Sequence, residues 1–290
     1  MGNARYDDSA WRNYSARSTD GKTRDQIFSQ RQMHADLDPT KIKAREAVDS
    51  AANPETTPII LAADETGSMG VLAEQIIRGS LGDIMKELYD RKPVTDPQIL
   101  CAGVGDVNCD HAPLQVTQFE AAADVLGEQV KNIWLEGNGG GNNGESYPIV
   151  WLFAARKVIA DAFRKRSKKG YIFTIGDEQP HTAPMTPEQV RNFVGLDLQG
   201  PFDAKSALIE AQANWHVFHL IVKPVTHQPV LATWKRLLDE RAIVVDNIQN
   251  LAAGIVSTIQ LIEGHDPRAG WTGTDIAVVE HVTAQLSATA

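Results

Sequence analysis

The sequence predicts an α/β protein with a mostly parallel six-stranded sheet, one antiparallel edge strand and helices on both faces. Short, wholly apolar runs such as residues 58–63 suit strands that are buried on both faces, as in parallel sheets. Longer stretches with helical apolar spacing, such as residues 71–89, lie between these runs. The alternation of the two kinds of segment indicates parallel strands joined by helices, which is a doubly wound arrangement.

Each element follows from its own pattern. Strands are expected at residues 58–63, 98–104, 114–119, 171–175, 215–222 and 242–245. Helices are expected at residues 71–89, 119–134, 146–166, 188–194, 204–213, 230–238 and 248–262. A short hairpin connection joins the second strand to the third, which makes the third the antiparallel edge. Ligands of such sheets bind beyond the carboxyl ends of the strands, so the loops after the first, second and fourth strands are candidate sites.

The chain divides into three predicted parts. Residues 57–264 form the α/β domain, residues 1–56 a polar N-terminal arm, and residues 265–290 a C-terminal tail. The arm has few aliphatic residues, and we expect it to be partly disordered or to lie over the domain surface. Within it, residues 41–51 suit a short helix that Asn53-Pro54 would end.

Net charge, apolar content and cysteine spacing argue against several classes of partner and site. The 290 residues carry a formal net charge of -9, which argues against nucleic acid as a partner. No secretory segment opens the sequence and no apolar run is long enough for a bilayer, so we expect a cytoplasmic protein without a membrane partner. Cys101 and Cys109 lack the spacing of a zinc site and are expected to be reduced. The oligomeric state is not indicated.

The segment Asp64-Glu65-Thr66-Gly67-Ser68 follows the first strand directly. In a tight loop, the alternating residues Asp64, Thr66 and Ser68 can turn their oxygens toward one point. A carboxylate and two hydroxyls suit Mg²⁺, and Mn²⁺ or Ca²⁺ accept oxygen ligands as well. Glu65 falls outside this alternation and is expected to face solvent or to orient the loop, without binding the metal directly. The competing interpretation of the segment is helix capping, a frequent role of Ser and Asp.

The Asp64-x-Thr66-x-Ser68 spacing resembles the first segment of the metal-ion-dependent adhesion site in von Willebrand factor A domains. Two further segments fit in the family's order: the Gly-rich loop with its following Glu at residues 139–146, and the strand-end Asp followed by Pro-His at residues 175–181. The Thr-Gly-Ser-Met form at residues 66–69 is similar to a bacterial and phage-like intracellular subgroup. The resemblance covers roughly residues 58–264 and implies a Rossmann-like fold.

The resemblance also implies the site residues. Asp177 would contact the metal, usually through water. Many members place a metal-binding Thr in the middle loop, where this sequence has Gly141; Asn143 or Glu145 is the expected substitute, with Ser146 or a water as alternatives. The expected metal set is Asp64, Thr66, Ser68, Asp177, Asn143 and Glu145. The expected partner-binding rim is Glu65, Met69, Asn142, Glu178 and His181, although His181 also suits a turn residue packed against Pro180.

The function that the resemblance implies is a protein-binding module, not an enzyme, in which Mg²⁺ binds an Asp or Glu of a partner. An AAA+ ATPase or an assembly subunit is the kind of partner that intracellular relatives bind. A Mg²⁺-dependent hydrolase with Asp177, Glu178 and His181 is a second hypothesis, although no nucleophile is paired with a base. A structural subunit of a larger assembly, with a degenerate metal site, is a third.

Two other groups have a structural and a functional interpretation. Asp106, Asp110 and His111 follow the second strand, and a solvated loop is favoured over a second metal site. The basic residues 164–169 could attract nucleic acid, but they end a predicted helix, where cations are expected.

Overall fold

A computed structural model describes residues 5–65, 70–137, 144–222 and 228–287. Its strands are β1 Arg45–Ala47, β2 Thr57–Asp64, β3 Pro97–Val104, β4 Leu114–Val116, β5 Val158–Ala160, β6 Gly170–Gly176, β7 Trp215–Ile221 and β8 Ala242–Val244. Six of them form the central sheet in the order β4-β3-β2-β6-β7-β8. All neighbours are parallel except β3 and β4, which confirms the predicted α/β sheet with one antiparallel edge strand.

Helices cover both faces of this sheet. They are α1 Asp8–Ser18, α2 Arg24–Ile27, α3 Gly70–Gln75, α4 Leu81–Arg91, α5 Ala123–Val130, α6 Pro148–Lys157, α7 Asp161–Arg166, α8 Pro187–Val194, α9 Ala204–Gln212, α10 Gln228–Leu238, α11 Leu251–Ile262 and α12 Thr274–Ser287. A π-helical turn, Ile76–Ser80, joins α3 to α4. None of the helices in the described ranges combines the length and the apolar character needed to cross a bilayer.

The alternation of side chains along β2 divides the interior into two cores. Ile59 and Leu61 point into the first core, with residues of α1, α4, α5, α11 and α12. Ile60 and Ala62 point into the second, with residues of α6, α8, α9 and α10. Every residue of β2 is buried, because helices cover the sheet on both sides. This is the physical reason why residues 58–63 of the strand are all apolar.

Two predicted helices are wrong in detail. Residues 146–166 form α6, β5 and α7 and not one continuous helix. Residues 41–51 contain no helix; their regular element is β1, which pairs in parallel with β5 along the register Arg45 to Val158. Pairing between these distant segments outweighs the local helical pattern of both, since propensity is a weak determinant beside tertiary contacts.

The described part of the arm and the tail pack onto the domain. Trp11 and Tyr14 of α1 stack with ring centroids 5.2 Å apart and are buried in the first core. Val279 and Val282 of α12 are fully buried in the same core, in which α11 is also packed. The first core therefore includes side chains from both segments that flank residues 57–264.

Candidate functional site

Asp64 is the last residue of β2 and lies at the carboxyl edge of the sheet, fully buried. The hydroxyl of Tyr147 donates a hydrogen bond to its Oδ2 atom over 3.0 Å. Tyr147 is the N-cap residue of α6, and Pro148 at the first helical position favours the start of a helix there. The beginning of α6 thus brings a hydrogen-bond donor to the carboxylate from the second core.

The position of Tyr147 depends on a glycine and on aromatic packing. A Cβ atom on Gly176, the last residue of β6, would lie 1.9 Å from the Tyr147 hydroxyl oxygen, so only glycine fits. The Tyr147 ring packs edge-on against His219 and Trp234, at centroid distances of 5.0 and 5.4 Å. Burial, together with the charges of Asp64 and Glu145, raises the pKa of Tyr147 well above its usual value. Its hydroxyl therefore stays protonated and remains a donor.

Asp177 and Glu145 lie at the same edge. Asp177 follows β6 directly, and because Ala63 pairs with Ile175, it lies one residue further beyond the edge than Asp64. Glu145 is held by two backbone hydrogen bonds: its N–H donates to the Gln179 carbonyl over 2.9 Å, and its carbonyl accepts from the His181 N–H over 3.1 Å. Asp177 and Glu145 are 3% and 5% exposed, so the edge gathers three buried carboxylates with Asp64.

The expected metal set is only partly within the described residues. Thr66, Ser68, Met69, Asn142 and Asn143 lie outside them. Within the described ranges, no group of three His, Cys, Asp or Glu side chains is placed so that it could hold a metal ion. Carboxylate oxygens nevertheless suit the metal expected here, since Mg²⁺ is commonly bound by one or two carboxylates and completes its shell with waters or ligand oxygens.

The side chain of Glu65 is buried, in contrast to the prediction from the sequence. The side chain is 3% exposed and extends toward the first core, on the opposite side of β2 from Asp64. The Nε2 atom of Gln115 donates to both of its carboxylate oxygens over 3.0 Å. Gly103 leaves room for it, because a Cβ there would be 2.1 Å from Oε2. The expectation of a solvent-facing Glu65 on the partner-binding rim is therefore wrong.

Burial raises the pKa of Glu65 well above its usual value, and the charges of Glu136 and Asp110 add to this effect. The Gln115 amide acts in the opposite direction, because it donates hydrogen bonds to the carboxylate. Strand alternation explains the location: Glu65 continues the series of Ile59 and Leu61, which the first core buries.

The loop after β3 is also part of this edge, as predicted for the connection after the second strand, but the burial of its acids was not predicted. Asp106 is 1% exposed, and its Oδ1 atom lies 2.8 Å from Nε2 of His181 and accepts the Asn108 N–H over 2.9 Å. Asp110 is buried as well, so the interpretation as a solvated loop is wrong for both aspartates, whereas the His111 side chain is exposed. The position of Asp106 in the sequence indicates a place at this edge, since it follows the end of a buried strand as Asp64 and Asp177 do.

Hydrogen bonds tie the loops of this edge together. Val107 N–H donates to the Ser146 hydroxyl over 3.0 Å, and Ser146 N–H donates to the Gly105 carbonyl over 3.2 Å. Trp234 Nε1 donates to the carbonyl of Glu178 over 2.9 Å. Glu178 and His181 are partly exposed, in contrast to the buried carboxylates of this edge. The segments after β3, before α6 and after β6 consequently form one connected surface.

Neither cysteine is arranged as a nucleophile. Both are free thiols, and Cys101 is buried. The Cys109 thiol donates to Oδ2 of Asp106 over 3.3 Å, while His181 contacts the other oxygen of the same carboxylate. Burial, the hydrogen bond to Asp106 and the nearby negative charges raise the pKa of Cys109 to about 12. At neutral pH this thiol is protonated, which disfavours nucleophilic chemistry.

The basic segment 164–169 is largely engaged in ion pairs. Arg166 and Lys165 bind Asp49 of the arm at 2.8 and 3.1 Å, and Lys168 lies 3.4 Å from Glu263. The hydrogen bonds from Arg166 hold the pKa of Asp49 well below its usual value. These contacts support the structural interpretation of the segment, because its cations pair with the arm and with the residue that follows α11.

Comparison with known proteins gives likenesses in structure and none in sequence. No protein-family model matches the chain, and no curated protein matches it. The pilus adhesin SpaC from Lactobacillus rhamnosus GG, in its open conformation, is similar with a TM-score of 0.46 and 11% identity, over 74% of this chain and 31% of the adhesin. This chain thus corresponds to about a third of that protein's length.

Two similar structures are single von Willebrand factor domains or contain one. The vWF domain of the type V pili tip protein Mfa5 from Porphyromonas gingivalis has a TM-score of 0.45 and 12% identity, over 77% of this chain and 99% of that domain. A von Willebrand factor type A protein from Catenulispora acidiphila has a TM-score of 0.42 and 10% identity, over 77% of this chain and 48% of its own.

Proposed function

We propose that this chain is a protein-binding module whose binding surface is the carboxyl edge of the sheet, where Asp64 and Asp177 hold a Mg²⁺ ion. One observation carries the proposal: the two carboxylates are buried at the ends of β2 and β6, which are adjacent parallel strands. Crevices at the carboxyl ends of strands are where sheets of this class bind ligands. The metal would bind a carboxylate of the partner protein.

The charge distribution supports a cation at this edge. Asp64 and Glu145 both act on Tyr147 as negative charges, and Asp177 is buried beside them in the sheet register. A divalent cation offsets the mutual repulsion of such carboxylates. Thr66, Ser68 and Asn143 complete the proposed oxygen set. Mn²⁺ or Ca²⁺ is compatible with the same donors, and a Mg²⁺ that keeps waters can exchange one for a partner's Asp or Glu.

The motif resemblance extends the proposal to the kind of protein. A cytoplasmic adaptor whose partner is an AAA+ ATPase or an assembly subunit fits a metal site that recognises an acidic side chain. Specificity would then come from the rim of the edge, where Glu178 and His181 are partly exposed, with Met69 and Asn142 as further rim residues.

The first experiment measures metal binding to the full chain. Asp64→Asn keeps the size of the side chain and an oxygen that can accept the Tyr147 hydrogen bond, while it removes the charge. Titration with Mn²⁺, followed by electron paramagnetic resonance, and with Mg²⁺, followed by calorimetry, is expected to show one site in the wild type. The Asp64→Asn and Asp177→Asn variants should bind at least about tenfold more weakly.

The matched control is Asp20→Asn, which removes one charge from an exposed position on the arm. It should bind Mn²⁺ with wild-type affinity. Near-ultraviolet circular dichroism checks that each variant is folded. A wild type without saturable Mn²⁺ or Mg²⁺ binding, or an Asp64→Asn variant with unchanged affinity, would overturn the metal site.

The second experiment tests the partner. Affinity capture from the source cells compares the wild type with Asp64→Asn and Asp20→Asn, in Mg²⁺ and in EDTA. The expected partner is retained by the wild type and Asp20→Asn in Mg²⁺, and is lost in EDTA or with Asp64→Asn. A partner that binds equally under all these conditions contradicts a metal-dependent interaction.

A further inference from the structure

A cavity lies between the arm and the antiparallel edge of the sheet, away from the carboxyl-edge site. Its volume is about 620 Å³, within the usual range for small-ligand sites. Residues 34–37 and 41–45 of the arm form one side, and three amide side chains form the other: Gln118, Gln129 and Asn132. It shares no residue with the proposed metal site, so what it binds is a separate question.

The cavity contains a buried guanidinium. Arg45, the first residue of β1, is 8% exposed. Its Nη2 atom donates to the backbone carbonyls of Asp36 and Val116, the latter over 2.8 Å. Its Nε atom has no hydrogen-bond partner among the described residues. Arg45 thus lines the cavity, held by neutral carbonyls through Nη2 and with its Nε atom buried.

The electrostatic environment of Arg45 favours an anion. Burial lowers its pKa to about 10, so it is still charged at neutral pH. Among the lining residues, the single carboxylate is that of Asp36, whose side chain is 89% exposed. The charge of Asp36 acts on Arg45 from this exposed position and compensates its burial only in part, and a bound anion would reduce the remaining cost.

Other cations add to this field. Lys43 and Lys41 are exposed and line the cavity with Arg45, although Lys41 also pairs with Asp38 at 3.1 Å. The chain as a whole has a net charge of -9, so a cavity with three basic residues and one acidic residue is a local reversal of sign. Such reversals concentrate anions from solution.

The opposite wall is polar and held in place by its own hydrogen bonds. Gln129 Oε1 accepts the backbone N–H of Gln118 over 2.7 Å, and Asn132 Oδ1 accepts from Gln30 Nε2 over 3.1 Å. Amide groups fixed in this way can orient a polar ligand without adding charge. The volume also exceeds that of a bare ion, so the cavity has room for a ligand with a body beyond its anionic group.

We propose that this cavity binds a small organic anion whose phosphate or carboxylate group contacts the Arg45 guanidinium, with Lys43 adding positive charge. A guanidinium matches both oxyanions through charge-assisted hydrogen bonds. The amide wall contacts the remaining polar body of the ligand. This site does not depend on the metal at the carboxyl edge.

The test uses the full chain and three probes: inorganic phosphate, glucose 6-phosphate and citrate. Calorimetry is expected to show saturable binding of at least one probe. Arg45→Met should weaken it about tenfold or more, because hydrogen bonds to charged groups are the stronger class. Lys43→Ala should weaken it several-fold. Lys205→Ala, an exposed cation on α9, and Asp64→Asn should leave it unchanged.

The pattern across probes identifies the source of the anionic group. Binding of phosphate and glucose 6-phosphate assigns a phosphate ligand, and binding of citrate alone assigns a carboxylate ligand. Absence of saturable binding by all three overturns the proposal.

Arg45 also ties the arm to β4, so Arg45→Met could lose binding through local unfolding alone. Lys43 is exposed, and its removal leaves that tie intact. If Lys43→Ala binds a probe as the wild type does, or if Lys205→Ala weakens binding equally, the cavity is not the site.

Discussion

Tyr147→Phe tests whether the residue that binds Asp64 also positions it for a metal. The substitution removes one oxygen atom and keeps the ring, which packs against His219 and Trp234. The hydroxyl donates to a fully buried carboxylate over 3.0 Å. The change therefore removes a charge-assisted hydrogen bond and preserves most of the aromatic packing.

The expected magnitude has two parts. A hydrogen bond to a charged group contributes about 1.5–3 kcal/mol, and we expect a loss of this order in the free energy of unfolding. Groups that orient a metal ligand typically change metal affinity about 10–100-fold when they are removed. We expect Mn²⁺ affinity to fall by that factor in Tyr147→Phe, provided that Asp64 is the ligand it orients.

Tyr171→Phe is the matched control. The Tyr171 hydroxyl also donates to a carboxylate, Glu263, over 2.6 Å, but it lies near the start of β6 and not at its carboxyl end. Urea unfolding and Mn²⁺ titration are measured for both variants. Both should lose stability, and only Tyr147→Phe should lose metal affinity. Equal Mn²⁺ affinity in the two variants would refute the positioning role of Tyr147.

Three further predictions concern single positions. Gly176→Ala places a methyl group 1.9 Å from the Tyr147 oxygen. We expect this change to destabilise the fold by about 2 kcal/mol or more, measured by urea unfolding, and to weaken Mn²⁺ binding. Wild-type stability and Mn²⁺ affinity would show that the Tyr147 ring can move freely. Burial, with help from nearby cations, lowers the pKa of His216 to about 4. The histidine pKa in the unfolded chain is about 6.5, so between about pH 6.5 and 4 the unfolded chain binds a proton at this residue and the folded chain does not. The free energy of unfolding therefore falls by about 1.4 kcal/mol per pH unit as the pH drops through this range. His216→Gln should remove this contribution, which unfolding curves across that range would reveal as a shallower slope than in the wild type. Cys109 is exposed yet its pKa is about 12, so iodoacetamide should label the native protein more slowly at pH 7.5 than it labels the urea-unfolded chain; equal rates would contradict the raised pKa.

The sheet was predictable because its signal is local. Strands such as β2 and β3 are continuous apolar runs, and the helices between them show clear apolar spacing. The sequence therefore predicts which segments are strands or helices and how they follow one another along the chain. The β1–β5 pair was not predictable in this way. Residues 45–47 and 158–160 are far apart in the chain, and their pairing depends on how the arm lies over the domain.

The candidate site was predictable in part for a related reason. Asp64 and Asp177 follow buried strands, and strand ends are where the ligands of such sheets bind. Tyr147 gives no such signal, because its contact with Asp64 depends on the absence of a side chain at Gly176, on a different strand. Asp106 follows a strand end too, but its burial results from loops that only the folded chain brings together.

The two neighbouring acids Asp64 and Glu65 have different roles because they face opposite sides of the sheet. Asp64 is held by the Tyr147 hydroxyl in the second core, and both oxygens of Glu65 are held by the Gln115 amide toward the first. Glu65 cannot turn to the carboxyl edge without breaking its contacts with β4, so of these two acids only Asp64 is available to the proposed metal. The same two contacts fix the backbone on both sides where the proposed metal-binding loop begins. A ligand loop that starts from a fixed point loses less conformational entropy on binding, so Gln115 and Tyr147 together would favour the proposed metal binding by preorganisation.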